Sequence, residues 1–354
     1  MTTAGAARIC ISPALGSEMP GMFQKRFGQS LHDDLWVTAL VVEGERSAVA
    51  VVGVDALSVK RSMVTRARQR IGCETGIDGG AVMVAASHTH NGGATCDVFL
   101  SEADPDYCRR VSDAIAEAVI AAWRQRVPAR FRCGSGSQEG VAFNRRFRMK
   151  GGVEATHPGK GNPDIIEAAG PTDPEVGVVG VFAADDDRFL GAFVNYTCHC
   201  TVGVGGTGFS ADYPFYLRRA VTAVMGNPEA VVVFANGACG DVTQVNNMRL
   251  GGYEGGEACG RLIGHSLAGE AIKVLSRIES EESIEVAVAS RMLELRPRAV
   301  DEAVVRAARE VLARRSDGAA AWEHDAILAR EITELAMMND AESVVPAEVQ
   351  ALRL

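Results

Sequence analysis

Runs rich in Val and Ala, each about the length of a strand, recur at 36–42 (WVTALVV), 47–54 (SAVAVVGV), 81–87 (AVMVAAS), 176–182 (VGVVGVF), 189–196 (FLGAFVNY), 230–236 (AVVVFAN) and 284–290 (IEVAVAS). Several barely alternate between apolar and polar positions, the pattern of strands covered on both faces. Helical spacing fills the gaps between them. In DPDYCRRVSDAIAEAVIAAWRQRV, Asp104 is placed to cap, Pro105 suits the first turn, and Val111, Ile115, Val119 and Trp123 recur every four residues along one face. Further helices are expected at 59–71, ended by Gly72, at 213–225 and at 257–278. Strands and helices mixed through residues 1–290 predict an α/β layered domain, with a central mixed β-sheet flanked by helices.

Beyond residue 295 the pattern changes to Ala, Glu and Arg at helical spacing over 300–340, which predicts a helical hairpin turning at Ser316-Asp317-Gly318. The strand-like VVPAEVQALRL follows. The chain thus divides into an α/β domain over 1–295 and a helical segment with a terminal strand over 296–354, read as the remainder of the same domain. An apolar strand in that place calls for a neighbour on its far side. Residues 143–175 are polar and rich in Gly and Pro, longer than a routine connection, and mark a lid candidate.

Composition narrows the function classes. The chain has 354 residues, 47% of them apolar and 6% aromatic, with a formal net charge of -9 and scattered basic residues. A nucleic-acid footprint is not indicated, nor is an anionic membrane surface. The N-terminus lacks the basic and apolar regions of a secretory signal, and no stretch is long and apolar enough to span a bilayer, so a cytoplasmic location is expected. Nine cysteines without CxxC pairs suit a reducing compartment, packed as small hydrophobes.

Three stretches carry candidate chemistry. In VMVAASHTHNGGATCD an apolar run ends at His88 and His90, where side chains leave a sheet and neutral imidazoles are well placed to hold a metal. In an extended chain the two would start about 7 Å apart, so without a bend one ligand and one helper are expected. A hydrogen-bonded structural pair is the other reading. In FLGAFVNYTCHCTVGVGGTGFSADYP a second strand delivers His199 into a glycine-rich loop. Cys198 and Cys200 flank it and point away if the segment is extended, as packing residues or as ligands. Asp212 is either a carboxylate ligand or base, or the N-cap of the helix starting near Tyr213. In AVVVFANGACGDVTQVN, Asn236, Gly237, Gly240, Asp241 and Thr243 form either an oxyanion-binding nest or a plain strand-to-helix turn. Asp55, ending AVAVVGVD, is placed either to line the same cleft or to cap a helix near Leu57.

Taken together and in order, HTHNGGA, FNRR, VNYTCHCTVG, SADYP and NGACGDVT resemble the N-terminal domain of the neutral/alkaline non-lysosomal ceramidase family from about residue 6 to residue 290. The resemblance implies that His88 and His199 are zinc ligands, that His90 assists in the pocket, that Arg145 is the arginine of the family's NRS string, and that Thr243 stands for its active-site serine. It implies hydrolysis of an N-acyl amide bond by metal-activated water, the zinc ion lowering the pKa of water and polarising the carbonyl. The sequence departs from the family strings at Ser87, Asn91, Gly93, Arg146, Cys200 and Gln244. The family completes its site with a glutamate and a tyrosine beyond the matched region. Two histidines fall short of the usual three protein ligands, which leaves three expectations: a shortened inactive product, a homo-oligomer sharing ligands, or substitution by Asp55, Asp212 or Asp241.

The function expected is therefore that of a zinc-dependent, ceramidase-like amidohydrolase acting on a small-molecule or lipid acyl amide, or on a related ester. Low aromatic content does not favour membrane docking, and a small soluble substrate is compatible with the sequence. The alternative is a catalytically defective relative that acts as a binding or structural protein. A serine-type amidase is disfavoured, since the chain has no GxSxG elbow.

Overall fold

A computed structural model describes residues 2–252, 254–277, 279–281, 284–315, 324–341 and 344–353. Eight strands form one mixed sheet: β1 (Thr3–Cys10), β2 (Trp36–Glu43), β3 (Ala48–Val54), β4 (Val82–Ala86), β5 (Val127–Ser137), β6 (Glu175–Ala183), β7 (Phe189–Tyr196) and β8 (Val231–Asn236). Their order is β8-β7-β6-β5-β1-β2-β3-β4. The pairs β3·β4 and β7·β8 are parallel and the remaining pairs antiparallel.

The sheet is two halves hinged at one narrow seam. β5 pairs with β6 over nine residues but joins β1 through only Thr3↔Pro128 and Ala4↔Val127. The half β1–β4 then packs face to face on the half β5–β8. At Gly53 a Cβ would stand 2.8 Å from the Phe234 backbone oxygen and 3.3 Å from Val233, so glycine is what lets β3 and β8 approach. Alternation along β8 serves both of its faces: Val231 and Val233 enter the cluster with β1–β4, while Val232 and Phe234 enter the cluster on the other side.

Helices cover the outer faces, giving four layers. α1 (Arg61–Thr75) and α2 (Pro105–Arg124) lie over β1–β4; α3 (Tyr213–Val224) and α4 (Glu257–Leu275) lie over β5–β8. Asp104 caps α2 by accepting from the Asp106 and Tyr107 amides, and Val111, Ile115 and Val119 are buried as their spacing predicts. α1 runs past the expected stop: Gly72 is within the helix, and Gly76, at φ 77°, ends it with its N–H on the Gly72 carbonyl. Its start is Arg61 rather than residue 59.

Two central strands, β1 and β5, escape the sequence pattern. TAGAARIC is mostly small residues and carries Arg8 near its end, and VPARFRCGSGS intersperses Arg130, Arg132, Gly134 and Gly136 among its apolar positions. β1 is chosen by close approach: a Cβ at Gly5 would meet the Ala122 carbonyl of α2 at 2.1 Å.

The lid candidate 143–175 carries structure of its own. Residues 146–149 sit between 154–156 and 165–168 in a three-stranded antiparallel sheet, and 143–144 pairs with 242–243. Toward the C-terminus come β9 (Ala287–Leu295), α5 (Glu302–Arg315), α6 (His324–Ala341) and β10 (Val345–Arg353). β10 has a neighbour, pairing antiparallel with β9 over nine residues. Gln350 donates to the Gly80 carbonyl at 2.8 Å, and Arg68 pairs with Glu348 at 2.7 Å, tying this ribbon to α1. α5 and α6 pack on each other; the turn expected at Ser316-Asp317-Gly318 lies outside the described residues.

Candidate metal centre

The C-terminal ends of the parallel strands converge at one end of the sandwich, where α/β sheets commonly place ligands. β4 ends at Ala86 and releases Ser87-His88-Thr89-His90; β7 ends at Tyr196 and releases Thr197-Cys198-His199; β8 ends at Asn236. Asn236 ties the first two loops together. Its amide donates to the Ser87 carbonyl at 3.1 Å and the Cys198 carbonyl at 2.8 Å, and its oxygen accepts from the Cys198 N–H at 3.2 Å.

His88 has φ 66°, a left-handed conformation rare for a residue with a Cβ. This bend overturns the extended-chain expectation of well-separated rings. The Nε2 atoms of His88 and His199 are 3.0 Å apart, and those of His88 and His90 are 3.3 Å apart. The metal-ligating atoms of the three residues all lie within 4.8 Å of one another.

The outer ring nitrogens fix the tautomers. His88 Nδ1 lies 2.8 Å from the Leu57 carbonyl and His199 Nδ1 lies 2.7 Å from the Cys239 carbonyl, and only an N–H can satisfy an acceptor there. Both Nε2 atoms are then unprotonated lone pairs facing each other at hydrogen-bond distance. Two acceptors in that arrangement repel unless a cation lies between them, so the donor set fits a metal ion. Burial lowers the pKa of all three rings: His88 is below its ordinary value, His90 falls to about 3 and His199 to about 4. Near neutral pH they are the uncharged imidazoles that metals bind.

His90 is set by a contact the sequence does not announce. A hairpin over residues 16–28 brings Gly21 against the ring, where a Cβ would stand 2.8 Å from Nδ1, and the Arg26 guanidinium donates to the His90 carbonyl. Arg26 also depresses the His90 pKa by its charge.

The remaining candidates lie around this cluster or apart from it. Arg145 is close enough to depress His88 and His199, and its guanidinium donates to the Gly240 carbonyl at 2.5 Å. Asp241 holds that arginine's segment: its backbone oxygen accepts from the Arg145 N–H at 2.7 Å and its carboxylate from the Asn144 amide at 2.8 Å. Val242 accepts the His199 N–H at 3.0 Å, while the neighbouring Thr243 hydroxyl is buried and accepts from the Val245 N–H at 3.3 Å.

Asp55 and Asp212 are outside the three-histidine group. Asp55 meets the Arg218 guanidinium through both oxygens, at 2.6 and 2.8 Å, and accepts from the Trp36 N–H. It caps no helix, α1 starting six residues later. Asp212 is the N-cap of α3, accepting from the Tyr213 and Gly203 amides, and burial raises its pKa to about 6. Cys198 and Cys200 are fully buried packing residues, and burial pushes both thiols well up.

An open cleft of about 430 Å³ lies over the histidines, with Leu57, Val59, Val84 and Ala86 supplying apolar lining and His88, His199, Asn236 and Cys239 among its other residues.

No family model and no curated protein matches the sequence. Solved structures do. The neutral ceramidase from Pseudomonas aeruginosa superposes with a TM-score of 0.67 at 21% identity, covering 84% of this chain and 49% of its own. A ceramidase complexed with C2 superposes with a TM-score of 0.67 at 19% identity, covering 83% of this chain and 46% of its own. The likeness establishes a shared fold, and this chain spans about half the length of the structures it matches.

Proposed function

We propose that the chain carries the zinc-binding part of a ceramidase-like amidohydrolase, which cleaves N-acyl amides with metal-activated water. The observation that carries the reading is the convergence of three neutral imidazoles, two of them with unprotonated Nε2 atoms fixed face to face at 3.0 Å. Three protein nitrogens with a position left open is the ligand arrangement of catalytic rather than structural zinc. His88, His90 and His199 would hold the ion; the other expected ligands, Asp55, Asp212 and Asp241, are engaged by Arg218, by helix capping and by the Asn144 amide. Bound there, zinc supplies Lewis acidity, activating water near neutral pH and polarising a carbonyl.

The chain's own residues supply orientation and charge. The Leu57 and Cys239 carbonyls keep the two imidazoles in the metal-binding tautomer. Arg145, steadied by Asp241 and Gly240, offers a cation beside the cluster for the negative charge that grows on the carbonyl oxygen. Thr243, which the family resemblance puts in the place of the active-site serine, is buried and outside the cleft lining, and its hydroxyl supports the Val245 backbone beside the carbonyl that anchors His199. The Leu57, Val59, Val84 and Ala86 lining suits an acyl chain. The ceramidases that share this fold make a fatty acyl amide the first substrate to try.

The test is hydrolysis of a panel of N-acyl amides, long-chain and short, by purified protein before and after chelation. Activity removed by chelator, restored by zinc and reduced more than about 100-fold in His88→Ala and His199→Ala supports the reading. Activity indifferent to chelator contradicts it. A second reading, metal binding without turnover, is favoured by one observation: among the described residues the metal-binding group includes no carboxylate to act as a base. One zinc per chain with no hydrolysis of any panel member would select it.

A further inference from the structure

Of the exposed large apolar residues in the first 31 positions, Met22, Phe23 and Phe27 lie on the 16–28 hairpin, and Leu15 and Leu31 flank it. Leu15, Met22, Phe23, Phe27 and Leu31 are each between 44 and 62% exposed. The hairpin is closed by backbone bonds from Gly16 to Gly28, Gly28 to Ser17 and Met19 to Arg26, so these side chains are displayed on an ordered element rather than on a loose end. At its tip the Phe23 ring packs edge-on against Phe99, centroids 4.8 Å apart, which joins the hairpin to the loop leaving His90. Three of the chain's twelve phenylalanines, Phe23, Phe27 and Phe99, therefore lie on the hairpin and the loop packed against it. Low aromatic content overall conceals a local concentration.

The charges of the hairpin point to what it meets. Between Ile11 and Leu31 the charged residues are Glu18, Lys25 and Arg26. Glu18 is matched by Lys25 at 3.3 Å, and Arg26 is turned inward to the His90 carbonyl. A molecule of net charge -9 thus presents here an apolar surface with a small positive balance and no unmatched acid. Aromatic and aliphatic side chains beside one exposed lysine suit the headgroup–acyl boundary of a lipid surface. The same hairpin touches His90 and Leu57 through Gly21, and Leu57 lines the histidine cleft, so a surface seated on the hairpin is one residue removed from that lining.

From this juxtaposition we infer that the 16–28 hairpin docks the protein on a lipid surface, with Met22, Phe23 and Phe27 entering the interface. The inference deepens the amidohydrolase reading, since it names a membrane-embedded acyl amide as the form in which substrate arrives. It rests on that reading for its purpose but not for its test.

The test uses the full chain without zinc or substrate. Flotation with zwitterionic phosphatidylcholine vesicles should carry the protein upward, and a Phe23→Ser/Phe27→Ser variant that keeps its near-ultraviolet circular dichroism should partition about tenfold less, or weaker still. As a folding-independent check, Phe23→Trp should gain fluorescence that brominated phosphatidylcholine quenches. Three results would overturn the inference: no vesicle association by the parent, equal association by the double variant, or unquenched Trp at 23 with a concentration-dependent dimer that the double variant loses. If vesicle binding holds while no acyl amide is hydrolysed, the amidohydrolase reading has failed and the docking surface has not.

Discussion

At His88 a left-handed backbone is held by a residue that normally avoids it, at a cost of about 1–3 kcal/mol. The surrounding hydrogen bonds to Leu57 and through Asn236 overdetermine the bend, and the bend is what brings two strand-end imidazoles to a third. Two substitutions separate strain from chemistry. In chemical denaturation His88→Gly should be about 1 kcal/mol more stable than His88→Ala, because only glycine adopts this conformation freely; both should fail to retain zinc by elemental analysis. Asp212 makes the converse case of a polar group that serves structure. Its folded pKa, about 6, lies above the unfolded value, so between about pH 4 and 6 the unfolded chain releases this proton first and stability falls as pH rises. Urea midpoints across that window should decline more steeply for the parent than for Asp212→Asn. Parallel slopes would remove Asp212 from the account.

The elements were legible in the sequence where composition and periodicity agreed. β2, β3 and β8 follow Val-rich runs, β7 follows an apolar run, and α2 follows a capped stripe of every fourth residue. β1 and β5 were not, because their place in the sheet depends on small residues that admit a neighbour, a tertiary fact rather than a local one. The centre divides the same way. Histidines at the ends of apolar runs announce themselves, whereas the Leu57 and Cys239 carbonyls that orient them belong to backbone any residue could supply. Asn236 left a faint signal as the polar residue closing VVVFAN. Gly21 left none, though it admits the His90 ring. Gly21→Ala, strained at φ 106° and pressing on Nδ1, should weaken zinc affinity by about tenfold or more in competition with a chromogenic chelator. Between the two sheet halves, Gly53→Ala should lower stability by about 1–3 kcal/mol, read from denaturant midpoints, because its Cβ would meet the Phe234 backbone.

Across the whole molecule, four layers position one site. The hinge at β1·β5 folds the sheet so that β4 from one half and β7 and β8 from the other end together, and each half contributes histidine to the same centre. Zinc held across the two halves should therefore stabilise the fold as well as serve chemistry. The three imidazoles brought together in this way form a group that could hold one metal ion. X-ray absorption at the zinc edge of the loaded protein tests that claim most directly. We expect about one zinc per chain with nitrogen scatterers near 2.0–2.1 Å and the multiple-scattering signature of three imidazoles, reduced by one ring in His90→Ala. Sulfur scatterers near 2.3 Å, or zinc retained unchanged when His88 and His199 are replaced, would contradict it.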